Sequence, residues 1–160
     1  MTNPLKYLVR RLALRKNRSE VPQGIVPLGA LNSAAVFIDR QSAGASEAEQ
    51  AVRKFFGERN IELTLLSPDA AQLNYAGYMR RRFRLPEGRP RAEELFVSLS
   101  CRPDDFASEF EARCSPAKFK VGCLPLQGGV YDLTVSPPEG MQADQPAVFR
   151  AITEYLLKIK

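Results

Sequence analysis

The segment "SLSCRPDD" brings together a hydroxyl at Ser100, a thiol at Cys101, a guanidinium at Arg102 and the carboxyls of Asp104 and Asp105. It follows "ELFVSLS" (Glu94 to Ser100), which reads as a buried strand, and it opens "DDFASEFEARC", which reads as a helix with Phe106, Phe110 and Cys114 inward. Ligands of open α/β sheets collect beyond the carboxyl ends of strands, so these five side chains make the best-placed catalytic pocket in the chain. A thiol near a helix amino terminus is acidified, but two neighbouring carboxylates oppose the thiolate. The same residues also read as a small buried cysteine and an aspartate cap.

A second stretch, "KVGCLPLQGGVYDL", has the glycine content of a phosphate-cradling loop. Such a loop needs Gly-x-Gly-x-x-Gly between a strand and a helix, because the helix amino terminus supplies the N–H groups that hold phosphate. Gly122, Gly128 and Gly129 are spaced otherwise, and a strand follows them. They predict a tight strand-to-strand connection in which glycine supplies positive φ.

Two basic stretches point outward. "YMRRRFRLPEGRPR" sets Arg80, Arg81, Arg82, Arg84, Arg89 and Arg91 around Tyr78 and Phe83, a mixture that grips a nucleic-acid backbone and stacks bases, or forms a solvated loop. The first eighteen residues carry Lys6, Arg10, Arg11, Arg15, Lys16 and Arg18 with no acid. Setting those six aside leaves 17 of the 23 basic residues against 18 acidic ones, so the net charge of +5 belongs to an arm. Arg10 and Arg11 join Arg80, Arg81, Arg82 and Arg84 as candidate anion contacts.

What is missing is equally informative. The chain has no histidine, which excludes Ser-His-Asp and Cys-His catalysis and removes the commonest ligand of catalytic zinc. No metal and no cofactor are expected. Cys101, Cys114 and Cys123 are odd in number and lack Cys-x-x-Cys spacing, which predicts reduced thiols. Without a membrane-length apolar run or a secretory leader, the expected location is cytoplasmic.

These side chains must be positioned by a regular scaffold. "NPLKYLVRRLALRK" predicts a helix from Pro4 to Lys16 whose Leu5, Leu8, Val9 and Leu12 pack on the body, with docking on a membrane surface as the other use of such a face. Asn17 to Asn32 is a Pro/Gly connector. "AAVFID" is a buried strand, Ser46 is placed to cap a helix with Ala48, Val52, Phe55 and Phe56 inward, and "IELTLLS" is the next strand. A strand is expected at Gln72 to Tyr78. "AKFKVG" and "YDLTVS" are short strands, and "AVFRAITEYLLKIK" is a closing helix with Val148, Ile152, Tyr155, Leu156 and Ile159 inward. The alternation predicts a three-layer α/β fold, Rossmann-like or flavodoxin-like, with a largely parallel sheet flanked by helices. Residues 1–32 form a basic helix and connector, and 33–160 a single domain.

The order "KYLVRRL", "AAVFID", "LFVSLS", "SPAKFKVG", "YDLTVS" and "YLLKI" resembles a family of small Bacteroidetes-type proteins grouped as a domain of unknown function. The resemblance spans nearly the whole chain and implies the fold and the compartment. Members often carry an aspartate where this sequence has Ser98. The run from "LFVSLS" to "AKFKVG" is also similar in architecture to the N-terminal Rossmann-like half of lipopolysaccharide heptosyltransferases, a likeness of fold alone.

Together these features predict a non-enzymatic binding or scaffold domain with a basic arm, its partner a second copy through the N-terminal helix or another protein. A small α/β enzyme built on Ser100, Cys101, Arg102, Asp104 and Asp105, and a weak sequence-independent nucleic-acid binder, are the alternatives.

Overall fold

The computed structural model describes residues 3–85, 89–136 and 144–159. Among these residues five α-helices and five strands follow in the order α1 (Pro4–Asn17), β1 (Ser33–Phe37), α2 (Ala45–Glu58), β2 (Glu62–Leu66), α3 (Arg81–Arg84), β3 (Leu95–Ser98), α4 (Phe106–Cys114), β4 (Phe119–Gly122), β5 (Leu133–Thr134) and α5 (Gln145–Lys158). All strand pairs are parallel, in the order β2-β1-β3-β4-β5. The winding direction reverses between β1 and β3, where doubly wound folds open their ligand crevice.

Strand alternation splits the core into two layers. Ala34 and Val36 of β1 face Ala48, Val52 and Phe56 of α2 and Val148, Phe149, Ile152 and Leu156 of α5. Ala35 and Phe37 face the opposite way, toward Ala107 and Ala112 of α4. Burial on both sheet faces is why β1 and β3 read as nearly continuous apolar runs.

Local chemistry sets the helix ends. The Asn3 side chain accepts from Leu5 N at 3.0 Å ahead of Pro4, and Arg15 and Lys16 favour the carboxyl end of the α1 dipole. Asp105 accepts from Ser108 N and Asp144 from Ala147 N, capping α4 and α5. α2 starts one residue before Ser46, so Ser46 is not its cap. Gly44 takes that position at φ 80°, and a Cβ there would lie 2.6 Å from Pro146 Cδ. Close approach by α5 decides the cap in favour of glycine.

Three further expectations are corrected. The strand expected at Gln72 to Tyr78 is a 3-10 turn (Ala70–Gln72) followed by a single antiparallel bridge between Leu73 and Met79. Tyr155 is half exposed because α2 and the sheet are already covered by Val148, Ile152 and Leu156. The third correction is in α1. Leu5, Leu8 and Leu12 are 59%, 52% and 55% exposed, and no residue of the helix is fully buried. Val9 is half-buried as expected, and the helix otherwise meets the body through Lys6, Arg10, Ala13 and Leu14. The Arg10 guanidinium lies 4.4 Å above the Phe106 ring and donates to Ala76 O at 2.6 Å, so a cation and its stem fill the place expected of leucine.

Candidate functional site

At the crevice between β1 and β3, the chain turns out of each strand with a polar residue. Asp39, beyond β1, is almost fully buried; its backbone N–H donates to Gln145 Oε1 at 2.7 Å and its carbonyl accepts from Gln145 Nε2 at 2.8 Å. Gln145 thus satisfies the end of β1 much as a neighbouring strand would. The Asp39 carboxylate accepts from Arg102 Nε at 2.5 Å, Ser42 Oγ at 2.6 Å and Gln41 N at 3.0 Å. Burial alone would raise its pKa, but the Arg102, Ser42 and Gln41 bonds outweigh it and hold the carboxyl below 3.8.

Arg102 also lies 3.4 Å from Asp105, whose Oδ2 accepts from Ser100 Oγ at 2.7 Å. The bonding continues across the sheet end through Ser98 Oγ and Ser108 Oγ, 2.5 Å apart. Burial pushes the Tyr131 phenol up to about 12, against the opposing hydrogen bonds from Ser98 and Ser108. The Tyr131 ring covers Gly122 so closely that a Cβ there would overlap the ring carbons.

Ser100, Arg102, Asp104, Asp105 and Tyr131 line a hollow of about 350 Å³. Four of the five candidate pocket residues therefore do converge. Cys101 does not: strand alternation sends Ser98 and Ser100 to one face and Leu99 and Cys101 to the other, into the layer beneath α2 and α5. There Cys101 forms a disulfide with Cys123, with Cα atoms 5.7 Å apart. This corrects the expectation of three reduced thiols; spacing of 22 residues hides a pair that adjacent parallel strands bring side by side. Cys114 stays a thiol, and burial raises it to about 12. Arg102 is shared between two carboxylates, and Tyr131 is too weak an acid to supply a phenolate near neutrality. The hollow can orient a ligand; its groups are arranged as a hydrogen-bonded brace.

Sequence reasoning does not single out Asp39, Ser108, Tyr131 or Gln145, and it notes Ser98 only for the resemblance. The signal for Asp39 is present: an acid that ends the apolar run "AAVFID" obeys the same strand-end rule that points to Ser100 and Asp105.

A different feature lies between α1 and α4. Two hollows, of about 420 and 1080 Å³, share Arg18, Glu20 and Arg113 in their walls. Arg10, Arg11, Arg15, Lys16 and Arg18 of the arm and Arg113 and Lys120 of the body line them, opposed by Glu20 and Glu109. The connector holds the walls together: Ser19 N donates to Arg113 O, Gly24 N to Lys118 O and Gln23 Nε2 to Val130 O. Lys120 is buried, which lowers its pKa, and its Nζ donates to Ala112 O at 2.7 Å.

The arginine-rich stretch is divided by the fold, and its residues 86–88 lie outside the described residues. Arg80, Arg81 and Arg82 are exposed or nearly so, with Arg82 4.6 Å over the Phe83 ring. Arg84 and Arg91 turn inward to Glu111, and Arg91 also pairs with Glu93. Arg84 and Arg10 are therefore committed inside the molecule, whereas Arg11 remains at the surface.

Among the described residues, no three Cys, Asp or Glu side chains gather as a metal site, and no helix is long and apolar enough to cross a membrane. No family model, curated protein or solved structure matches the chain.

Proposed function

We propose that the chain is a non-enzymatic binding domain that takes a polyanionic partner in the cleft between α1 and α4. The observation that carries this reading is the charge of the walls: seven basic side chains against two acidic ones, of which Arg11, Arg15, Lys16 and Arg18 are exposed while Arg10, Arg113 and Lys120 are bonded within the body. Field lines from one sign of charge focus in a concave, low-dielectric surface and raise the local concentration of anions. The strand-end hollow gives the weaker case, because Arg102 spends its charge on Asp39 and Asp105 and Cys101 lies on the other side of the sheet.

Fluorescence anisotropy with a short single-stranded oligonucleotide, across a salt titration, tests the reading. Affinity should fall linearly in log–log form, and replacing Arg11, Arg15 and Lys16 with glutamine should flatten the slope by about 0.7 for each phosphate left without its cation. Replacing Arg80, Arg81 and Arg82 with serine should leave the slope nearly unchanged. Binding that ignores salt, or that depends on the second triplet and not the first, would overturn the cleft.

A further inference from the structure

We infer that the anionic partner is a bilayer surface, on which α1 lies flat with Leu5, Leu8 and Leu12 inserted and Arg11, Arg15 and Lys16 at the level of the headgroups. The inference rests on the polyanion reading for its cations, Arg11, Arg15 and Lys16, which belong both to the cleft wall and to the flanks of the leucine ridge, and it adds the apolar face that the cleft leaves unused. Positions 5, 8 and 12 are three and four residues apart, so the leucines form one ridge about 10 Å long on the helix. That ridge is more than half exposed, on the side turned away from the bonds that Arg10 makes with Phe106 and Ala76. Helical rotation sets Arg11 and Arg15 along one flank of the ridge and Lys16 along the other.

Charge and chemistry choose the occupant. A second copy would bring Arg11, Arg15 and Lys16 against their own equivalents, a like-charge contact. A nucleic acid would use the cations and could stack on the exposed Tyr7 of the cleft wall, but it leaves the three aliphatic side chains of the ridge in water. An anionic bilayer uses both halves of the face, taking leucine below the headgroups and lysine and arginine among them. One short helix of this kind gives reversible attachment.

The test is co-flotation of the full chain with phosphatidylcholine vesicles, with and without phosphatidylserine, beside the oligonucleotide titration. The chain should float only with the anionic vesicles. Replacing Leu5, Leu8 and Leu12 together with serine should abolish flotation and leave oligonucleotide affinity unchanged, since none of the three lines the cleft and none is buried. Replacing Arg11, Arg15 and Lys16 with glutamine should weaken both, by about fivefold per charge at the vesicle. Flotation that survives the leucine replacements overturns the inference. Oligonucleotide binding without flotation also overturns it and leaves the polyanion reading standing, whereas failure of both probes removes the two together. A leucine-dependent dimer in sedimentation velocity would assign the ridge to a second copy instead.

Discussion

Arg84 donates through Nε to Glu111 Oε1 at 2.6 Å, and the carboxylate that receives it is wholly buried in the middle of α4. Arg91 takes the other oxygen of Glu111 and also bonds Glu93, which accepts from Ser115 Oγ. Burial would lower the Arg91 pKa, and Glu111 and Glu93 more than compensate, leaving it raised. Two guanidiniums sharing one buried carboxylate make Glu111 the least replaceable member. Glu111→Ala should cost about 3–5 kcal/mol in urea unfolding, because it leaves charge buried and unpaired. Combining Glu111→Leu with Arg84→Met, Arg91→Met and Glu93→Gln should recover most of that loss, the last change because Glu93 would otherwise be left as a buried carboxylate without Arg91.

Acid should unfold the protein partly through Asp39. Its folded pKa lies below 3.8, so the stability it carries is complete above the unfolded value and is lost as pH falls through the lower folded value. Urea midpoints should therefore drop as pH falls below about 5, and Asp39→Asn should lower the midpoint at neutral pH while flattening that decline. A decline of unchanged steepness in the variant would assign the acid sensitivity to other carboxylates.

Thiol chemistry should divide the three cysteines sharply. Without reductant, the folded protein should be inert to alkylation: Cys101 and Cys123 are joined, and the Cys114 thiol, raised to about 12 by burial, holds almost no thiolate near neutrality. Denaturation without reductant should expose one alkylatable residue, Cys114, and added reductant should expose all three. Peptide mass spectrometry reads each state directly.

Gly122 and Tyr131 should prove energetically coupled. A methyl at position 122 would overlap the Tyr131 ring carbons, so the ring must shift to make room. Gly122→Ala should cost about 1–3 kcal/mol in the native sequence and much less beside Tyr131→Ala. Equal costs in the two backgrounds would show that the ring moves freely.

β1 and β3 were legible because they are buried on both faces, leaving apolar runs whose only physical home is the middle of a parallel sheet, whereas β4 carries Lys120 within its buried run. Gly128 and Gly129 do adopt positive φ, 88° and 66°, as their turn chemistry predicts, while Gly122 serves close approach instead. The failures share a cause. Periodicity says which residues could be covered, and tertiary structure decides which are. α1 looks like a helix that buries its leucines, yet Phe106 and Ala76 present a ring face and a carbonyl, for which arginine is the better complement. The Cys101–Cys123 pair and the Asp39–Gln145 clamp depend on strand adjacency and on the return of α5, neither of which spacing encodes.

The sulfur bridge between the ends of β3 and β4 closes 22 residues, including all of α4, into a covalent ring. Loop-closure entropy assigns such a ring about 3 kcal/mol, chiefly by restricting the unfolded chain. Its consequence for integrity is separate from that energy. A protease that cuts between Cys101 and Cys123 leaves two fragments that migrate as one molecule until a reductant parts them, so damage to this segment is silent in any oxidising buffer.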